Sequence, residues 1–131
     1  MIKKEILDSM KNWIVGWVCG CMVQAVMAQE VPEKYLKEID KISNQYNHDM
    51  KYFLRTLDAH TTSFDPAQKA QFCGIVIRYT DDFYQVTDKY RASLPLSYAQ
   101  MTKQDVVQKV MQSKEMMLLS RYQIQCDFKT N

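Results

Sequence analysis

The sequence predicts an all-α protein: a small antiparallel bundle of three main helices, with room for a short fourth, closed by one disulfide. Three observations predict this class. Apolar residues recur at intervals of three and four along two long segments, as they do on one face of a helix. The 131 residues include only 3 Gly and 3 Pro, which is little material for tight hairpins. No run of residues alternates between apolar and polar as a half-buried strand does.

The first long segment is the most regular one in the chain. Its apolar residues in helical register are Tyr35, Leu36, Ile39, Ile42, Tyr46, Met50, Phe53, Leu54 and Leu57. This spacing predicts one apolar stripe on a helix of about seven turns. Pro32 stands where the first turn begins, and its fixed φ suits that place.

The second helix is predicted to begin at Asp65 and Pro66, because Asp caps free backbone amides and Pro fits the first helical position. Two adjoining apolar faces follow, which predicts the most buried helix of the bundle. One face holds Ala70, Cys73, Ile77, Thr80, Tyr84 and Thr87, and the other holds Phe72, Val76, Tyr79, Phe83 and Tyr90. Pro95 ends the helix, since Pro biases the preceding residue away from helical geometry.

The third helix is predicted to begin at Thr102, where Thr102 and Asp105 form a weak variant of a capping box. Helical spacing then continues through Val106, Val107, Val110, Met111, Met117, Leu118 and Ile124. A short helical turn is expected over residues 98–101, and Cys126 follows at or just past the end of the third helix.

Residues 1–28 predict a secretory signal peptide that is cleaved after Ala28, leaving residues 29–131 as a single helical domain. The start is basic through Lys3, Lys4 and Lys11, and an uncharged apolar run of 11 residues extends from Trp13 to Val23. Small or modest side chains at Val26 and Ala28 then suit a cleavage site. The apolar run is shorter than the roughly 20 residues that a membrane-spanning helix needs.

Other interpretations of this leader stay open. Residues 1–28 could remain as an uncleaved membrane anchor, or residues 5–28 could form an ordinary buried helix of a cytosolic protein. The stretch from Val18 to Cys21 also faintly resembles a bacterial lipoprotein box, which would place a lipid on Cys21. Membrane contact is expected only through this leader.

Cys73 and Cys126 are the cysteines that remain after residue 28, because Cys19 and Cys21 leave with the leader. An exported chain meets an oxidising compartment, and two cysteines allow one intramolecular pairing. The predicted disulfide closes a loop of about 54 residues, worth about 4 kcal/mol in the chain-entropy model. In a cytosolic chain the same two residues would be buried thiols.

The composition argues against nucleic-acid binding, since 17 basic and 15 acidic residues are interspersed and no basic stripe occurs. His48 and His60 lie about three helical turns apart, too far to share a metal ion. Asp81 and Asp82 point about 100° apart on a helix and cannot face each other as a catalytic pair. The sequence therefore predicts no enzyme activity, no cofactor and no metal.

Tyrosine is the one distinctive feature, since all eight tyrosines follow residue 28. Tyr combines a large contact area with a polar tip and is favoured at interfaces. The predicted partner-binding surface consists of Tyr79, Asp82, Tyr84, Asp88, Tyr90, Arg91 and Tyr98. The alternative is that these tyrosines only line the rim of the bundle.

The predicted function is that of a small exported protein, periplasmic or secreted, that acts without catalysis by binding another protein. Its most concrete form is an immunity or inhibitor protein that neutralises a toxin or enzyme, by architectural analogy alone. The alternative is an accessory or structural component of a cell-envelope assembly, such as a secretion or conjugation apparatus, held by its leader or a lipid. A third candidate, a carrier of a small apolar ligand, would need a cavity. The wide apolar arc of the second helix also leaves room for a homodimer.

Overall fold

A computed structural model of the chain describes residues 2–8 and 31–129. These residues form helices and connecting segments without strands, which confirms the predicted all-α class. The helices are α1 (residues 2–8), α2 (Glu33–Thr56), α3 (Pro66–Lys89), a 3₁₀ turn (Arg91–Ser93), α4 (Leu96–Ala99), α5 (Lys103–Met111) and α6 (Lys114–Ser120). The predicted cleavage site after Ala28, together with Cys19 and Cys21, lies outside the described residues.

Two helix starts follow the local chemistry of their caps. The Asp65 carboxylate accepts a hydrogen bond from the Gln68 amide at 2.7 Å, and the Gln68 side chain accepts one from the Asp65 amide at 2.9 Å. The same reciprocal pair joins Thr102 and Asp105 at 2.8 and 3.2 Å. Each box satisfies backbone amides that have no partner within the helix. Both predicted helix starts are confirmed.

The C-terminal segment differs from its prediction as one continuous helix. It forms two short helices, α5 and α6, because Ser113 adopts an extended backbone and its hydroxyl caps the Met116 amide at 3.3 Å. Beyond α6 the chain turns at Gln123, whose φ is +60°, and continues without helix to residue 129. The cap and the turn supply two changes of direction, and Met116, Leu119 and Ile124 of this segment pack in one cluster with residues of the long helices.

The core consists of two buried clusters. The first joins α1, α2, α3, α6 and the C-terminal segment and includes Met50, Phe53, Phe72, Val76 and Leu119. The second is formed by Phe83, Met101 and Val106, with Ile39, Tyr79, Tyr84 and Tyr98 packed against it. Thr80 and Thr87 are also fully buried within α3. Their hydroxyls donate to the carbonyls of Val76 and Phe83 at 2.9 and 2.8 Å, as a buried hydroxyl requires.

The disulfide joins Cys73 in α3 to Cys126 in the C-terminal segment, which confirms the predicted pairing. The two Cα atoms lie 5.3 Å apart, within the usual range for a disulfide. Ile124 is 4% exposed and belongs to the first cluster, as both cysteines do. The bond therefore fixes the last part of the chain to the middle of the bundle.

Residues 2–8 pack against this domain. Ile2 and Ile6 are 0% and 1% exposed and belong to the first cluster, whereas Leu7 is 39% exposed. The Tyr122 hydroxyl donates a hydrogen bond to the Glu5 carboxylate at 3.1 Å. A chain that begins at Gln29 lacks both isoleucines and this hydrogen bond.

Candidate partner-binding site

Arg91 lies just after the end of α3, where four of the seven sequence-predicted site residues, Tyr84, Asp88, Tyr90 and Arg91 itself, are found. Its guanidinium donates to the carbonyl oxygens of Ala99 and Met101, the latter at 3.1 Å. It also pairs with the Asp88 carboxylate at 2.9 Å and lies 6.0 Å from the centre of the Tyr84 ring. The side chain therefore ties α4 and the start of α5 to α3, and Tyr98 packs against the second cluster in the same region.

Tyr90 connects α3 to α2. Its hydroxyl donates to the Glu38 carboxylate at 2.8 Å, and its ring meets the Tyr35 ring edge-on at 5.8 Å between centres. The Lys89 ammonium pairs with the same carboxylate at 2.7 Å. Hydrogen bonds from Lys89 and then Tyr90 hold the pKa of Glu38 below its ordinary value of 4.5. Tyr90 is thus engaged within the molecule.

The Glu38 cluster predicts a pH dependence of stability. A carboxyl whose pKa is depressed by folding contributes stability above its unfolded pKa, and this is lost as pH falls through the folded pKa. We expect Glu38→Gln to lower the melting temperature by a constant amount near neutral pH and by a shrinking amount below about pH 4.5. Melting curves from about pH 7 to about pH 3 measure this difference.

The matched control is Glu33→Gln, because the Glu33–Lys37 pair, at 2.9 Å, lies on the exposed surface of the same helix. Exposed pairs of this kind contribute little to stability. A Glu38→Gln deficit that stays constant throughout the acid range would contradict the assigned role of the carboxylate.

Tyr79 and Asp82 lie further back along α3. The Tyr79 ring packs against Tyr46 at 4.7 Å and against Phe83 at 6.2 Å, and its hydroxyl is hydrogen-bonded to Ser43. Burial raises the pKa of Tyr79, and the hydrogen bond with Ser43 partly offsets this effect. Asp82 is half-buried. Among the seven residues, Asp88 alone is exposed, so most of the predicted surface is occupied by contacts within the molecule.

A cleft between α3 and α5 is the concave feature that the sequence did not predict. Tyr79 and Phe83 lie four residues apart on α3, and Val106 and Val110 lie four residues apart on α5, so each pair shares one face of its helix. The cleft has a volume of about 430 Å³. Its other lining residues are Met101, Lys109 and Gln112.

The chemistry of the cleft is apolar inside and polar at the edge. Phe83, Met101 and Val106 are 3–5% exposed, whereas Lys109 and Gln112 are exposed. The Lys103–Asp81 ion pair, at 2.9 Å, holds α5 against α3 beside it. Apolar walls with polar groups at the rim suit an apolar side chain or ligand group. The periodicity of Val106 and Val110 marked a buried face but could not show that this face is only partly filled.

Within residues 2–8 and 31–129, no group of three or more His, Cys, Asp or Glu side chains converges as metal ligands. The His48 ring lies 3.4 Å from the Asp49 carboxylate at the surface. No helix in these same ranges is long and apolar enough to span a membrane.

Comparison with protein-family models, with curated proteins and with solved structures finds no match for this chain. Proposals about function therefore depend on the geometry of the cleft and on the sequence pattern of residues 1–28.

Proposed function

We propose that this chain is a small exported protein that acts without catalysis, by binding another protein, and that the α3–α5 cleft seats an apolar side chain of that partner. The cleft is the observation that carries the proposal. Its volume of about 430 Å³ is ample for a large side chain. Binding energy at interfaces concentrates on a few such anchors, which fill well-packed apolar pockets.

The surroundings of the cleft favour a protein partner over a small ligand. The cleft is partly open to solvent, whereas sites for small molecules usually enclose most of the ligand surface. Lys109 and Gln112 provide a polar rim, as interfaces have around their apolar centres. Met111, which follows Val110 on α5, exposes 37% of its surface. The most concrete form of the proposed function is an immunity or inhibitor protein that neutralises an exported toxin or enzyme.

The antiparallel arrangement of the bundle is part of this proposal. Tyr35, near the start of α2, contacts Tyr90 at the end of α3, and Phe53, near the end of α2, contacts Phe72 near the start of α3. Such pairing favours opposite helix directions, as short connections between neighbouring helices do. Antiparallel packing of α2 and α3 would also give the cleft a rigid frame.

Photo-crosslinking in the native host tests the binding site. A benzoyl-phenylalanine at Gln112, on the cleft rim, is expected to form a covalent product with one protein. The same group at Lys51, exposed on α2, is expected to form none. Val110→Trp fills the cleft and should weaken binding by roughly 30-fold or more, the loss typical of a hot-spot anchor.

Val107→Trp is the matched control, because Val107 is half-buried on the same helix and does not line the cleft. Equal crosslinking at Gln112 and Lys51, or a product that persists in Val110→Trp, would contradict the proposal. A product that gains only the mass of a small molecule would favour the apolar-ligand carrier instead.

Export is tested by the intact mass of the protein purified from its host. We expect a chain that begins at Gln29, because the order of basic start, apolar run and small residues is that of a cleaved leader. Alkylation of Cys73 and Cys126 only after reduction would show the disulfide in the same sample. A full-length mass with four free thiols would contradict export. Retained residues 1–28, or a lipid on Cys21, would favour the component of an envelope assembly.

A further inference from the structure

Helix α1 covers apolar residues of the first core cluster. Ile2 and Ile6 lie one helical turn apart and are 0% and 1% exposed, in one cluster with Phe53, Phe72 and Leu119. Glu5 lies between them in sequence and accepts the hydrogen bond of the Tyr122 hydroxyl at 3.1 Å. The exposure of Leu7, 39%, shows that the helix buries one side. The face thus receives two apolar side chains and one carboxylate from a helix.

Cleavage after Ala28, on which this inference depends as part of the proposed function, removes that helix from the chain. The apolar surface that Ile2 and Ile6 cover would then be open to water, which is unfavourable in proportion to its area. Exposed apolar patches with a polar rim are typical of interaction sites. The exported chain therefore has a vacant face whose shape already fits a helix.

We propose that this face is a docking site for an amphipathic helix of another protein. The helix presents two apolar side chains at positions i and i+4, where Ile2 and Ile6 lie, and a carboxylate toward Tyr122. Binding of such a helix in an apolar groove is a common recognition mode. The exposed Arg121, next to Tyr122, favours an acidic residue at the same place.

Titration of a labelled peptide onto the purified full chain tests this site. The peptide has the sequence of residues 1–12, and binding is measured by fluorescence anisotropy. The wild-type chain should not bind it, because its own tethered segment competes at an effective concentration on the order of millimolar. The Ile2→Asp/Ile6→Asp chain should bind it, since charged side chains displace the tethered segment. A peptide that carries Ile6→Asp should bind at least roughly tenfold more weakly.

Leu7→Asp is the matched control in the full chain, because Leu7 is exposed and its replacement leaves the tethered helix in place. This variant should fail to bind the peptide, as the wild type does. If the double variant loses its helical circular dichroism, Ile6→Ala replaces it in the same titration. No binding to a folded variant, or equal binding of the Ile6→Asp peptide, would overturn the docking site.

The two proposals fail separately. The peptide titration probes the face that α1 covers, whereas the crosslink probes the α3–α5 cleft, whose buried residues Phe83, Met101 and Val106 form the second cluster. Loss of the Gln112 crosslink would leave the titration unaffected. A full-length mass from the host would refute export even if the double variant binds the peptide. The same mass would also overturn the docking of a partner helix, since α1 would then cover this face permanently.

Discussion

Replacement of both Cys73 and Cys126 by serine is expected to lower the free energy of unfolding by about 4 kcal/mol. The disulfide closes a loop that holds most of α3 together with α4, α5 and α6, and its two cysteines are 53 positions apart. A crosslink of this span restricts the unfolded chain strongly. Such a loss is a large share of the roughly 5–15 kcal/mol that stabilises a typical domain. Urea unfolding curves of the oxidised protein and the double variant measure it.

Reductant provides the control for this prediction. It should destabilise the wild type by a similar amount and leave the Cys73→Ser/Cys126→Ser variant unchanged. The single variant Cys126→Ser should resemble the double variant, because either substitution opens the loop. A loss below about 1 kcal/mol would mean that packing of Ile124 in the first cluster, rather than the covalent bond, holds the C-terminal segment.

Phe53→Ala is expected to cost about 3–5 kcal/mol of stability. Phe53 is fully buried on α2, and its ring contacts Phe64 at 5.4 Å and Phe72 at 5.8 Å between centres. The substitution removes buried apolar surface and leaves a cavity between α2, α3 and their connection, since neighbours relax only partly into such a space. Urea unfolding again measures the change.

The neighbouring Tyr52 supplies the matched control, because its side chain is 63% exposed on the same helix. Tyr52→Ala should change the free energy of unfolding by no more than about 0.5 kcal/mol. If the two variants lost similar amounts of unfolding free energy, the face of α2 that carries Phe53 would not belong to the main core. Slopes of the unfolding curves that match the wild type would confirm that both variants unfold from the same compact state.

The long helices could be predicted because their signals are local. Periodic apolar residues place α2 and α3, and the capping boxes that begin α3 and α5 join Asp65 and Thr102 to residues only three positions further on. Periodicity was less accurate at single positions. Leu36 and Met117, both placed on apolar faces, are 53% and 59% exposed, because a helical stripe is wider than the surface that its neighbours cover.

The predicted partner-binding residues show where local reasoning ends. Tyr90 and Arg91 were selected for their amphipathic character, but the same character lets them bond to Glu38 and to the carbonyl of Met101 inside the molecule. Whether a tyrosine faces a partner or its own chain depends on which element packs opposite. For Tyr90 the opposing residue is Glu38, about 50 positions away, so no pattern in the sequence near Tyr90 indicates this contact.

By itself the sequence determined the helical class, the starts of α3 and α5, and the pairing of Cys73 with Cys126. The predicted end of α3 at Pro95 was wrong, because α3 ends at Lys89 and a 3₁₀ turn follows it. Apolar periodicity and helix caps depend on residues that are neighbours along the chain, and the disulfide pairing follows from the number of cysteines. Tertiary structure alone decided the break at Ser113, the burial of Ile2 and Ile6, and the partly filled space between α3 and α5. These features result from competition between distant side chains for the same volume, and close packing resolves that competition only when the whole chain is folded.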